Sequence, residues 1–358
     1  MQPEDAFSSD YLSARERFRT AAEAAQAELF CLELAECGPD GKPLAIDIGW
    51  CGDRAARQVL LHTSGLHGVE AFAGSAVQLA TLKELSAPPS GCALVLVHVL
   101  NPYGMARLRR VNENNVDLNR NFFAERARRR QQPTLYDELD ALLNPPGPPV
   151  YDFFKWRLLC HAARHGPGPL KQAIAEGQYR YPKGLFFGGN DLEPGPAVYL
   201  NWLAGTLRHA DYLFALDLHT GLGQRGETLL MLEPGVGVAP AAELGAALGQ
   251  HLTPLASNTS RPYRAMGGMG TALHRVLPHA RIDFVLQELG TYGPLSVLSA
   301  MRDENRWHHY GTGGLEHSSK RKLLEAFCPS SPIWRRQAFN NGMAILRAAA
   351  SWTFRRKK

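Results

Sequence analysis

The chain is 358 residues long, 45% hydrophobic and 20% charged, with a formal net charge of +5. That length supports a large core, and the composition is ordinary for a soluble globular protein. The small positive excess lies largely in Arg126, Arg128, Arg129, Arg130 and the tail Arg355, Arg356, Lys357, Lys358, without interleaved aromatics, which argues against a nucleic-acid partner.

The amino terminus, MQPEDAFSSDYLSARERF, is acidic and polar, unlike a signal peptide. Residues 10–30 read as an amphipathic helix, capped by Ser9 or Asp10, with Phe18, Ala22, Ala25 and Leu29 on one face. Strands follow at Cys31 to Ala35 and Leu44 to Trp50, joined by the turn Pro39-Asp40-Gly41-Lys42. Gln58 to Thr63 is a buried-type strand, Ala71 to Leu85 a helix, and Ala93 to Leu100 another continuous apolar strand. A helix between two apolar strands is the βαβ signature of a mainly parallel sheet. Residues 123–190 break the rhythm with helix-leaning sequence and the run Pro145-Pro146-Gly147-Pro148-Pro149. They read as a helical insertion packed on the sheet within one domain spanning 1–358. Tyr212 to Leu218, Thr228 to Leu232, Ala241 to Leu252 and Asp283 to Leu289 resume as strand, strand, helix and strand. A last helix runs about from Arg335 to Trp352. The six cysteines are scattered without a C-x-x-C pair, and the longest apolar run is too short to cross a bilayer. The expected location is cytoplasmic, with no membrane partner; nothing in the chain speaks to oligomeric state.

Three of these strand ends carry unusual polar residues. The first is followed by His62-Thr63-Ser64-Gly65-Leu66-His67-Gly68-Val69-Glu70. The second ends in Leu218-His219-Thr220 and the third in Gln287-Glu288-Leu289. In an open α/β sheet ligands bind beyond the carboxyl ends of the strands, so these distant segments are expected to converge. An imidazole and a carboxylate three residues apart, joined by one more His, can hold a zinc ion and leave a position open for water. Between the strand ends lies a polar loop, residues 101–122 (NPYGMARLRRVNENNVDLNRNF), too rich in Arg, Asn and Asp for a segment that only builds core. A Ser-nucleophile enzyme would need a G-x-S-x-G elbow, and Ser64 and Ser75 have no such setting.

In these elements the chain resembles the carboxypeptidase A-like zinc peptidase superfamily, which includes succinylglutamate desuccinylases and aspartoacylases. The matching elements are His67/Glu70, Asn101-Pro102-Tyr103-Gly104, Val116-Asp117-Leu118-Asn119-Arg120-Asn121-Phe122, His219 and Glu288. The strings around them are most similar to a bacterial branch defined only as a domain of unknown function. The resemblance implies an α/β fold with a mixed, mainly parallel twisted sheet and helices on both faces. It implies His67, Glu70 and His219 as Zn2+ ligands and Glu288 as the general base. It implies Arg110, with Arg109 one residue off in register, as the group polarising the scissile carbonyl, and Asn119 with Arg120 as the grip on a substrate carboxylate. Asp217, two residues before His219 on the same strand face, is a neighbouring charge or a partner of that histidine. The family's mobile Tyr has no clear counterpart; Tyr263 and Tyr292 are the candidates. Tyr181, Phe186, Phe187 and Gly188-Gly189 are candidates for a roof that the insertion places over the cleft.

The activity implied is hydrolysis of a peptide or amide bond next to a free carboxylate, with a small peptide or an N-acyl amino acid as substrate. The alternative within the same chemistry is an N-acyl-amino-acid deacylase of the succinylglutamate desuccinylase/aspartoacylase type. A binding protein on the same scaffold would require loss of a ligand or of the base, and all are present.

Overall fold

A computed structural model describes residues 2–84, 86–122, 134–233, 239–254 and 268–355. Helix α1 (Tyr11–Ala24) leads into strands β1 (Glu28–Cys37), β2 (Pro43–Gly52) and β3 (Gln58–Ser64), followed by α2 (Ala71–Glu84), β4 (Cys92–His98) and α3 (Pro102–Ala106). Then come α4 (Leu135–Leu143), α5 (Phe154–His165), α6 (Pro167–Glu176), α7 (Pro194–Thr206), β5 (Tyr212–Thr220) and β6 (Thr228–Leu232). The chain finishes with α8 (Ala241–Leu248), β7 (Leu252–Pro254), α9 (Met269–Val276), β8 (Arg281–Leu289), α10 (Pro294–Tyr310), α11 (Ser318–Phe327) and α12 (Pro332–Arg355).

The strands form one eight-stranded sheet in the order β1-β2-β4-β3-β5-β8-β6-β7. Its centre, β4-β3-β5-β8, is parallel, and antiparallel pairs flank it at β1/β2, β2/β4 and β6/β8. Because side chains alternate across a strand, each central strand feeds two cores. Leu60, Leu94, Leu96, Phe214 and Leu216 pack with residues of α1, α2, α8 and α12 on one face. Val59, Leu61, Val95, Leu213 and Ala215 pack with residues of α7 and α9 on the other. Burial on both faces explains why β3, β4 and β5 read as unbroken apolar runs.

Two expected helices are shorter than read from periodicity. The first ends at Ala24, and residues from Glu28 pair with β2 from Trp50 backwards. Gln26, at φ 55°, turns the chain there, and the sheet edge outcompetes another helical turn. Asp10 is the N-cap, its carboxylate accepting from the Ser13 amide at 2.9 Å. The second, expected over Ala241 to Leu252, stops at Leu248, where Gly249 adopts φ 68°, and Leu252 joins β7 beside β6.

The segment read as an insertion is helical in its described part. Helices α4, α5 and α6 gather Tyr136, Leu139, Leu142, Leu158, Leu170 and Ile174 into a cluster of their own, with Leu295 and Leu298 of α10 against it. None of that cluster's described members is a strand residue, so these helices pack on α10 rather than on the sheet. Residues 123–133 lie outside the described residues.

Candidate metal centre

Beyond the carboxyl end of β3 the chain enters the 3-10 turn Gly68–Glu70, with His67 as its N-cap. This turn lies directly on α3. A Cβ on Gly68 would come within 2.0 Å of the Gly104 backbone, so glycine is required at 68 for this contact, while a Cβ on Gly104 would instead crowd the Asn101 side chain and the Val111 carbonyl. The Gly68 and Val69 amides donate to the carbonyls of Arg110 and Arg109 at 3.1 and 3.0 Å. Asn101 caps α3 by accepting from the Gly104 amide at 2.8 Å, and its side-chain amide reaches the Arg110 carbonyl at 3.3 Å. The H-G-V-E and N-P-Y-G segments are therefore one backbone unit that also carries Arg110.

Strand register supplies the rest. His219 on β5 is paired with Glu288 on β8, and Asp217 with Thr63 on β3. The Nδ1 atoms of His67 and His219 lie 3.2 Å apart. Glu70 reaches them at 2.8 Å through Oε1 and at 3.1 Å through Oε2. All three side chains are buried, and their donor atoms lie within 4.8 Å of one another. Each imidazole is anchored at its other nitrogen. His67 Nε2 contacts Asp117 Oδ1 at 3.0 Å and His219 Nε2 contacts Asp217 Oδ2 at 2.7 Å. Asp217 in turn accepts from the Thr63 hydroxyl at 2.6 Å. With the ring protons on these carboxylates, both Nδ1 lone pairs face the same point.

This donor set fits a divalent metal. Two lone pairs and a carboxylate at such separations repel one another unless a cation or a proton sits between them. A tetrahedral zinc with bonds of 2.0–2.1 Å spaces its donors by roughly 3.3 Å, close to the distances seen here. The electrostatics agree. Burial pushes the Glu70 carboxyl up, but His67 and His219 more than offset this and hold it below the usual carboxylate range. Burial would lower the His219 imidazole, yet Asp217 and Glu70 raise it well above its ordinary value, so the pocket attracts positive charge. Burial likewise opposes ionisation of Asp117, and Arg110, Arg120 and His67 outweigh it.

Glu288 has the opposite environment. Burial, with the neighbouring negative charge of Glu70, raises it to about 8 against the lowering pull of His219 and Arg110. It accepts a hydrogen bond from the Leu222 amide at 3.3 Å. Arg110 donates to Asp117 at 2.9 Å, lies 3.9 Å from Glu70 and sits over the Phe186 ring. Arg109 points elsewhere, fully buried and bonded to Glu304, Asn115 and Asn305. Of the two, Arg110 is the arginine that faces the centre.

A cavity of about 350 Å³ opens from these groups, lined at its inner end by Glu70, Arg110, Thr220 and Glu288. Asn119 and Arg120 do not line it. The Arg120 guanidinium is fully buried, donating to Asp117 at 2.6 Å and to the Ala175 carbonyl. Of the proposed roof residues Phe186 lines the cavity, whereas Phe187 packs in the core and Tyr181 bonds Asp137 at 2.8 Å. Tyr292 bonds Glu325 outside the cavity, and Tyr263 lies outside the described residues. Asp117, which contacts His67, Arg110 and Arg120, was passed over by motif reading as part of a longer string; its signal was its place just before the Asn119-Arg120 pair.

The fold brings a His, a Glu and a second His together at its strand ends, and that fold is shared with solved carboxypeptidase structures. The chain superimposes on bovine thrombin-activatable fibrinolysis inhibitor, solved in complex with tick carboxypeptidase inhibitor, with a TM-score of 0.50 and 10% identity over 97% of each chain. Carboxypeptidase A from Helicoverpa armigera is similar at a TM-score of 0.47 and 14% identity, over 96% of this chain and 73% of that one. Residues 7–341 match the family model described as "Protein of unknown function (DUF2817)", and the chain belongs to that family. No curated protein matches the sequence. Among the described residues no helix is long and apolar enough to cross a membrane.

Proposed function

We propose that the protein is a zinc-dependent hydrolase that cleaves a peptide or amide bond next to a free carboxylate. The observation that carries this reading is the pairing of a buried, anchored His67–Glu70–His219 donor set with a carboxyl of opposite character, Glu288, in the same cavity. A divalent metal held by those three residues supplies Lewis acidity and makes a bound water acidic enough to lose its proton near neutral pH.

The chain's own residues then divide the work. Glu288, buried and shifted towards neutrality, accepts the proton of the attacking water and returns it to the leaving amine, since a base near the working pH does both. The Arg110 guanidinium, fixed by Asp117, faces the same inner end and stabilises negative charge developing on the carbonyl oxygen. Asp117 and Asp217 hold the imidazoles in the tautomer that ligation needs. The grip of Asn119 and Arg120 on a substrate carboxylate stays in the proposal. It requires the Arg120 guanidinium to exchange Asp117 and the Ala175 carbonyl for the substrate.

The test is hydrolysis of a panel of dipeptides and N-acyl amino acids by the protein with zinc, after chelation, and as Glu288→Gln. Hydrolysis should require both metal and Glu288; turnover that survives chelation or the substitution overturns the mechanism.

A further inference from the structure

The cavity that starts at the metal centre is apolar for most of its length. Apart from the four polar residues at its inner end, its charged lining groups among the described residues are Lys155 and Lys171, on α5 and α6, which carry aliphatic stems of their own. The walls between are Leu158, Leu159 and Ala162 of α5, Leu170 and Ile174 of α6, and Leu295, Leu298 and Met301 of α10. They lead from Glu70, 2% exposed, to Leu159, 54% exposed, so the cavity is a channel from the buried donors to the surface. Its volume lies at the low end of ligand pockets, which run to about 300–1,000 Å³.

We infer that this channel takes an extended aliphatic chain attached to one side of the scissile amide, and that α5 and α6 set the chain length accepted. The inference rests on the hydrolase reading for the bond that is cut: water adds across the C–N bond, giving a carboxylic acid and an amine. The walls are the reason for the chain. A short dicarboxylic acyl group would leave most of these apolar walls uncovered. An aliphatic chain displaces water from the same surface and gains by it.

The experiment measures calorimetric binding of N-acylglycines of increasing acyl length and of N-acetyl-α-amino acids with linear alkyl side chains of increasing length to the full-length, zinc-loaded protein, with hydrolysis followed in parallel. In one of the two series affinity should rise about fourfold per added methylene up to a cut-off, the fold-change corresponding to ~0.8 kcal/mol per buried CH2. The series that responds identifies the side of the amide that enters the channel. Ala162→Phe, at a half-buried wall position far in sequence from His67, Glu70 and His219, should shorten the cut-off. Chain-length-dependent binding without hydrolysis would keep the channel and overturn the hydrolase reading. Flat affinity in both series, with hydrolysis intact, would overturn the channel and keep the hydrolase. An unchanged cut-off in a folded Ala162→Phe protein would remove α5 as a determinant and overturn the assignment.

Discussion

His67 and His219 present the same ring nitrogen to the same point because a carboxylate holds the opposite nitrogen of each. Neither aspartate is a candidate ligand, yet both decide the ligands' orientation. Asp117→Asn or Asp217→Asn should weaken zinc affinity by about 10–100-fold, measured by competition with a chromogenic chelator. An affinity equal to wild type in both variants would show the imidazoles to be oriented by packing alone. Glu288 stands in the same cavity under the opposite rule, a carboxyl driven towards its neutral form by burial. Glu288→Gln should retain stoichiometric zinc and lose activity by about 10²–10⁴-fold, a pair of readouts that separates a lost base from a lost site. Arg120 gives a third test. If it grips a substrate carboxylate, Arg120→Ala raises KM for free-carboxylate substrates far more than for their amides; equal changes for both would make it a brace for Asp117.

At the scale of elements, the centre depends on two backbones in contact. The turn Gly68–Glu70 and helix α3 approach so closely that a methyl group on Gly68 overlaps the Gly104 backbone. Gly68→Ala must therefore move the turn that carries Glu70 away from the helix that precedes Arg110. The expected result is a lower melting temperature together with weaker zinc binding, because one displacement shifts both groups. A variant with unchanged melting temperature and affinity would show that the contact is not needed. The parallel pairing of β5 with β8 has a matching role: it puts Glu288 beside His219 with no loop residue between them. Helices α4 to α6 form a small core of their own against α10, so their sequence can vary in the channel wall without disturbing the sheet.

For the molecule as a whole, two buried imidazoles remote from the cavity tie stability to pH. Burial depresses both His62 and His98 to about 4, so the fold holds them neutral where the unfolded chain would protonate them. Their contribution is full above pH 6.5 and is lost as the pH falls towards 4, at about 1.4 kcal/mol per pH unit for each. His308 and His309, depressed by burial to about 3 and about 4, act in the same direction, so stability falls between pH 6.5 and 4.5. Denaturant titrations across that window should show it, and His98→Gln should flatten the slope; an unchanged slope would mean that His98 is not the group titrating.

The central strands were legible in the sequence because burial on both faces forces continuous apolar runs, which no other element of that length shows. The candidate donors His67, Glu70 and His219 and the carboxyl of Glu288 stood out in the sequence because polar residues at such strand ends are costly unless something binds them. The end of α1 was not legible, since residues 25–30 suit a helix face as well as a sheet edge and only pairing with β2 chooses. Nor was the choice between Arg109 and Arg110: adjacent residues share a sequence context, and only the partners Glu304 and Asp117 separate them. Sequence by itself determined which side chains are available for metal chemistry and which strands carry them. Tertiary structure alone decided the anchoring of His67 by Asp117, the burial of Arg120 and the aliphatic channel, because each arises from contacts between segments whose local patterns carry no trace of one another.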